Sequence, residues 1–373
     1  VEILKWCATN MAQQVDLYRI PMQGPGDMSG LEKLLREGAF SAHDIVAVLG
    51  KTEGNGGVND FTREYAASSF CRVLAPLLGC TPAEVEHRVA LVMSGGTEGV
   101  LSPHASVFVR RSVEPGTGAG ARLAIGVAHT RDFLPEELGR SAQIEETARA
   151  VREALRDAGI EHPTDVHFVQ IKCPLLTAER VEAARARGKL PLTTDAYASM
   201  AYSRGASALG VAAALHEIAT PVPENAVLED FGLYSTVASA SAGIELLHSV
   251  VVVMGNSEAA AGDLVIGHSI MEDAIDLQGV MKAFASVGLN GFAVDTTRVV
   301  NVFAKAESSP NGSIRGFRHT MLDDTDITPT RHARAAVGGL IAGVAGCGAI
   351  YVSGGAEHQG PAGGGPLAVI ARA

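Results

Sequence analysis

The sequence predicts an α/β protein assembled from three similar repeating units, and three recurrences carry that prediction. A short pattern, Ser-(Gly/Ala)-Gly-x-Glu, follows an apolar run at Ser94–Glu98, at Ser241–Glu245 and at Ser353–Glu357. Upstream of each, another apolar run ends on a lysine: Lys51, Lys172 and Lys305. Between lysine and serine stands an arginine directly after a hydroxyl residue, as Thr62-Arg63, Ser203-Arg204 and Thr330-Arg331. Any one of these is commonplace, but the same order written three times marks a triplicated unit.

The elements follow in order. Ser29-Gly-Leu-Glu32 reads as a capping box opening a helix through Leu34, Leu35 and Arg36, with Gly38 as its stop. The apolar run Ile45 to Leu49 reads as a buried strand that delivers Lys51 at its carboxyl end, and Val89 to Met93 as a second strand leading into Ser94. Ser141 is expected to cap a helix whose Ile144, Ala148, Val151 and Leu155 share one face and which Gly159 closes; the strand to Lys172 comes next. The lead-in to Ser241, Leu233 to Ala240, is more polar (Ser235, Thr236, Ser239), so its strand signal is weaker. In the third copy Val299 to Ala304 leads to Lys305, and Ala349 to Val352 to Ser353.

Each hydroxyl-arginine pair precedes a run rich in small apolar residues, which places the arginine in the first turn of a helix with the hydroxyl as cap. The helix macrodipole disfavours a cation there, so the arginine is expected to face an anionic or carbonyl-rich ligand. Linkers near Pro115 to Gly120 and Met254 to Gly262 divide the chain into units 15–112, 121–257 and 263–373, after an N-terminal extension 1–14.

The 373 residues suit three such units, and 47% hydrophobic content describes an ordinary globular protein. The net charge of −11, with no basic stripe, argues against a nucleic-acid partner. No apolar stretch reaches the roughly 18 to 20 residues of a membrane span. Cys7, Cys71, Cys80, Cys173 and Cys347 are an odd set without a Cys-x-x-Cys pair, a reducing usage that offers neither a disulfide framework nor a zinc site. With no secretory leader in the first residues, a cytoplasmic protein is expected.

The repeated residue types suggest nucleophilic chemistry. A serine needs a base, and a lysine serves only when neutral, with a pKa drawn from about 10.4 toward ~7 to 8 by burial and neighbouring cations. Three lysines and three arginines gathered on a pseudo-threefold axis supply both influences. The small residues Gly95, Ala242 and Gly354 after the serines let backbone amides approach a ligand oxygen. His104, His248, His319, His332 and His358 lack the spacing of a zinc-hydrolase pair, so no histidine-held catalytic metal is expected. The glycine-rich run Ala356 to Pro366 is a loop able to expose several carbonyls to a hard cation such as Mg²⁺ or Ca²⁺.

Five longer segments resemble the cyanuric acid hydrolase and barbiturase family: Gly50-Lys-Thr-Glu-Gly-Asn-Gly56, the run from Val92 to His104, Val169-Gln-Ile-Lys-Cys-Pro-Leu-Leu-Thr177, Tyr202-Ser-Arg-Gly-Ala-Ser-Ala-Leu-Gly210, and the run from Val352 to Pro366. The resemblance extends from about Val15 to Ala373. It implies three α/β units around a pseudo-threefold axis, an active site where they meet, and a homotetramer. It also implies hydrolysis of a cyclic amide without a catalytic metal, the substrate being a small ring of alternating carbonyls and N–H groups. By resemblance Ser241 is the nucleophile and Lys172 its base, opening cyanuric acid to carboxybiuret, which loses CO2 to give biuret. Arg63, Arg204 and Arg331, with Ser94, Gly95, Ala242, Ser353, Gly354, Lys51 and Lys305, are implied to hold and polarise the ring. A structural Mg²⁺ or Ca²⁺ is implied at Glu307, Ala356, Gln359, Gly360, Pro361 and Gly364. Barbituric acid, with a methylene in place of one N–H, is the alternative substrate. A non-catalytic receptor for a planar trione is the alternative of another class.

Overall fold

The structure, a computed structural model, describes residues 11–115, 120–223, 225–291 and 293–373. Cys7 and most of the expected extension, together with linker residues 116–119, lie outside the described residues.

The first unit contains β1 (Ala12–Pro21), α1 (Ser29–Arg36), β2 (Ile45–Thr52), α2 (Thr62–Leu78), α3 (Pro82–Arg88), β3 (Ala90–Gly95) and β4 (His104–Val113). The second contains β5 (Arg122–His129), α4 (Ser141–Ala158), β6 (Val166–Pro174), α5 (Ala178–Ala186), α6 (Ala196–Ala214), β7 (Ala238–Gly243) and β8 (Val250–Ser257). After the short β9 (Ala260–Ala261) come β10 (Leu264–Met271), α7 (Leu277–Ala285), β11 (Val299–Ala306), β12 (Ser313–Ile314), β13 (Phe317–Arg318), α8 (Pro329–Ala345), β14 (Tyr351–Gly354) and β15 (Gly365–Arg372).

Three sheets share one topology. Their strand orders are β3-β2-β4-β1, β7-β6-β8-β5 and β14-β11-β15-β10, with β9 added at the edge of the first. In each, the lysine strand runs parallel to the serine strand and antiparallel to its other neighbour. Each lysine strand also carries a register shift six residues before its lysine, at Ile45/Ala47, Val166/Phe168 and Val299/Asn301. The fold is thus three similar α/β units.

Both faces of each sheet are buried. The outer faces pack on helices in three separate clusters, one per unit. The inner faces meet in a common cluster that takes Ala47, Leu49 and Val92 from the first unit, Phe168 and Val252 from the second, and Phe303 and Tyr351 from the third. Phe303 sits at its centre, with ring centroids 6.0 Å from Phe108, 5.7 Å from Phe168 and 5.8 Å from Tyr351. Alternation then fixes the functional side chains: Ala47, Leu49 and Lys51 point one way, as do Phe168, Gln170 and Lys172, and Phe303 and Lys305. An apolar inner face therefore ends, in every copy, on an inward lysine. Among the described residues no helix is long and apolar enough to cross a membrane.

Several local expectations need correction. Ser29 does not cap α1: the N-cap is Met28, and the Ser29 hydroxyl donates to Asp27 Oδ1 at 2.6 Å. Ser141 is the first residue of α4 rather than its cap, which is Arg140. Thr62 opens α2 after Phe61, its N–H and hydroxyl both donating to Asp60. Ser203-Arg204 lies in the middle of α6, which starts seven residues earlier because the Asp195 carboxylate accepts from Ala198 N–H at 2.8 Å. Met254 to Ser257 is strand, not linker.

Close packing between β5 and α4 depends on Gly126, where an added Cβ would stand 2.0 Å from Ala154 O and 2.5 Å from Ala158 N. Because both are helix backbone, Gly126→Ala is expected to cost about 1–3 kcal/mol, read as a lower midpoint in chemical denaturation.

Candidate active site

The parallel pairing puts each lysine opposite its own serine: Lys51 opposite Ser94, Lys172 opposite Ser241 and Lys305 opposite Ser353. The three serine hydroxyls converge, Ser353 Oγ lying 3.4 Å from Ser94 Oγ and 3.3 Å from Ser241 Oγ. They floor a cleft of about 280 Å³ including its mouth, walled by Arg63, Arg204, Arg334, Met200, Gly56, Gly95, Ala242 and Gly354. Of the residues expected to hold a ring, Arg63, Ser94, Gly95, Arg204, Ala242, Ser353 and Gly354 line this cleft together with Ser241.

Arg331 does not. Its side chain is 39% exposed and reaches Glu98 from outside, while Arg334, one turn further along α8 and 4% exposed, takes the wall position. Arg334 is thus the third arginine lining the cleft.

The lysines lie beneath the serines, with exposures of 0% for Lys51 and Lys305 and 1% for Lys172. Lys51 Nζ donates to Ser94 Oγ at 3.1 Å and to Gly95 O at 3.3 Å. Lys305 Nζ donates to Ser353 Oγ at 3.2 Å, to Gly354 O at 2.9 Å and, across units, to Ala240 O at 2.7 Å. Lys172 is different: it reaches across to Met93 O at 2.7 Å and pairs with Glu245 Oε1 at 3.0 Å, without a hydrogen bond to Ser241. The expected dyad is therefore aligned by register but not engaged.

Burial and then the nearby Arg334 charge hold the Lys51 pKa well below the ordinary lysine range. Burial and then Arg204 bring Lys305 down to about 7. Burial also lowers Lys172, with Glu245 working in the opposite direction and Arg63 adding to the fall.

The closing glutamates of the repeated pattern received no role from the sequence, yet they tie the units together. Arg334 clamps Glu98 at 2.6 and 2.7 Å, and Arg204 clamps Glu357 at 2.6 and 2.8 Å, each a two-pronged pair between different units. Their signal was present in the pattern itself. Beneath the middle dyad, Ser239 Oγ donates to Gln170 Oε1 at 2.8 Å, polar where the other units have Val92 with Leu49 and Tyr351 with Phe303. The middle unit differs from the others in chemistry as well as in sequence.

The expected cation ligands sit together in the third unit and its C-terminal loop. Glu307 accepts from Ser308 N–H at 2.9 Å and has no ion-pair partner among the described residues, while burial and the Glu357 charge raise its pKa. A cation would relieve that crowding, so the carboxylate fits. The Gln359 side chain is fixed in place: its Oε1 accepts from Ala240 N–H at 2.7 Å and its Nε2 donates to Gly355 O and Glu357 O. The Ala356 and Pro361 carbonyls each accept one N–H, from Gln359 and Gly364, and keep a second lone pair.

Comparison with known proteins gives a consistent picture. A profile of the family described as amidohydrolase ring-opening protein matches residues 16–372. A cyanuric acid amidohydrolase of Bradyrhizobium diazoefficiens is 65% identical over 363 residues, covering 96% of this chain and 98% of its own length. One from Pseudomonas sp. strain ADP is 59% identical, covering 96% and 99%. A solved cyanuric acid hydrolase, described as an evolutionary innovation by structural concatenation, superposes with a TM-score of 0.94 at 58% identity over 97% of this chain and 100% of its own.

Proposed function

The chain belongs to this family of ring-opening amidohydrolases and is a hydrolase, and from that premise we propose that it opens the ring of cyanuric acid, with Ser241 as nucleophile and Lys172 as base. The observation that carries the reading is the convergence of three serine hydroxyls over three buried lysines, ringed by three arginines. A planar ring with three carbonyls and three N–H groups is a match for such a floor, each carbonyl meeting a hydroxyl and an adjacent backbone amide.

The division of labour follows from the contacts. Lys51 and Lys305 donate protons to their own serines, which suits them to polarise two ring carbonyls through Ser94 and Ser353. Lys172 is the lysine with a carboxylate at hand and a serine it does not yet donate to. With Lys172 neutral, the Ser241 proton passes to its Nζ as Oγ bonds to the third carbonyl carbon. The ring C–N bond then breaks and Lys172 returns the proton to the departing nitrogen. Water attacks the resulting carbamoyl ester, regenerating Ser241 and releasing carboxybiuret, which loses CO2 to give biuret. General-base assistance of this kind contributes about 10²–10⁴-fold.

A second reading, with Ser353 and Lys305 as the dyad, is favoured by their 3.2 Å contact and by the lysine's pKa of about 7. Purified protein given cyanuric and barbituric acid in parallel, followed by loss of ring absorbance, tests the substrate. Turnover of barbituric acid alone would overturn it, and binding of either ring without turnover would favour a receptor.

The reading extends to a cytoplasmic homotetramer, in keeping with the free thiols of Cys71, Cys80, Cys173 and Cys347, and to a structural Mg²⁺ or Ca²⁺ held by Glu307 and by carbonyls of Ala356, Gln359, Gly360, Pro361 and Gly364. Such an ion would supply charge neutralisation beside Glu357 and stiffness to the loop after Ser353. Chelation is then expected to lower the thermal midpoint by about 5 °C, restored by adding the ion back.

A further inference from the structure

The three junctions between units are built on one rule, and one of them breaks it. At two, the glutamate closing the serine motif of one unit is gripped by a wall arginine of another: Glu98 by Arg334 and Glu357 by Arg204. The same rule would join Glu245 to Arg63. Instead Glu245 turns to Lys172 at 3.0 Å, and Arg63 donates to two carbonyls, Ala242 O at 3.0 Å and Gly57 O at 2.7 Å. Arg63 is left with a buried Nε that has no hydrogen-bond partner, a cost the other two wall arginines do not carry.

The backbone differs in step. Gly96 and Gly355, the third residues of the first and last motifs, are in the left-handed region at φ +106° and +78°, each so close to its arginine that an added Cβ would stand 2.5 Å from the guanidinium. Gly243 is outside that region, and an added Cβ there would meet the Glu245 carboxylate instead. A glycine gives the middle motif access to the conformation its counterparts already adopt.

We infer that Glu245 is a positioning residue that exchanges between two seats, Lys172 as seen in this structure and Arg63 as the other junctions show, and so decides when Lys172 can turn to Ser241. Seated on Lys172, the carboxylate keeps the ammonium charged and away from the serine. Seated on Arg63, it satisfies the orphan Nε region and leaves Lys172 to release one proton to solvent and approach Ser241. The inference rests on the Ser241–Lys172 reading given above. The charged and titratable groups around the pair are Arg63 of α2, Cys173 beside Lys172, and, facing Glu245 at longer range, Glu86 of α3 and Arg180 of α5.

The test is the pH profile of kcat/KM for Glu245→Gln. Lys172 works only when neutral, and the Glu245 charge favours its protonated form, so removing that charge is expected to move the acid limb to lower pH by about one unit. Glu98→Gln, which breaks an arginine clamp without facing Lys172, is expected to leave the limb in place. Glu245→Asp, which keeps the charge, should return the limb to its wild-type position and provides the same test should the Gln variant fold poorly. In a double-mutant cycle, Arg63→Met and Glu245→Gln should be non-additive in kcat, because the first removes one seat of the carboxylate and the second removes the carboxylate itself. An unmoved limb, an equal shift in Glu98→Gln, an Asp variant that behaves as Gln, or strict additivity with Arg63→Met would each overturn the inference. Ser241→Ala separates the two levels. If it is inactive while the limb does not move, only the role of Glu245 fails; if it turns over normally, the dyad assignment itself fails.

Discussion

Ser241→Ala is expected to lower kcat by about 10⁴-fold or more while the protein still binds the ring. On the proposed mechanism the change removes the attacking oxygen, while it leaves the lysine beneath it, the arginine walls and the other two hydroxyls intact. Binding should therefore change little, which calorimetric titration with cyanuric acid would read directly. Ser94→Ala and Ser353→Ala remove hydroxyls proposed above to polarise carbonyls, and a lost donor of that kind is worth about 10²–10³-fold. The order of the three losses is the decisive result. A deeper loss in Ser353→Ala than in Ser241→Ala would transfer the chemistry to Lys305 and its serine.

Arg334→Met and Arg331→Met should differ sharply although the two residues are three apart on one helix. Arg334 is 4% exposed and clamps Glu98 with two short bonds while lining the cleft. Its loss leaves a largely buried carboxylate with only the outer Arg331 bond and opens the wall, with an expected cost of about 2–3 kcal/mol in stability and of about 10²-fold or more in kcat/KM for a misplaced ring. Arg331 is 39% exposed and makes one bond to the same glutamate from the solvent side. A single bond from a half-exposed arginine to a carboxylate that Arg334 already clamps is worth about 0–1 kcal/mol, so its variant should stay near wild type in both melting and turnover. Equal losses in the two would restore Arg331 to the site.

That contrast shows where reading the sequence reaches its limit. The inward lysines and serines were legible because a strand has a two-residue period: an apolar inner face that ends at Leu49 or Phe303 commits Lys51 or Lys305, two residues on, to the same side. The third arginine was not, because positions three apart on α8 share a face, and the hydroxyl before Arg331 copied the local spelling of Thr62-Arg63 without its geometry. Arg204 was identified through the same spelling although its helix begins earlier, at a cap supplied by Asp195. Glu98, Glu245 and Glu357 stood in the repeated pattern from the outset, but their partners lie on other units. Gln170 carries no signal of its own for a related reason, since its partner, Ser239, lies on the neighbouring strand.

The reach of Lys305 to Ala240 O and of Lys172 to Met93 O, with Lys51 Nζ 5.7 Å from the ring centroid of Tyr351 in the third unit, means that no unit completes its own lysine environment. A ring of three separate, identical chains could make the same contacts, but every change would then appear three times, and no single carboxylate could take a different partner from its two counterparts. Joining the copies in one polypeptide removes that constraint: two thirds of the ring can keep one set of contacts while the remaining third takes another, as Glu245 does.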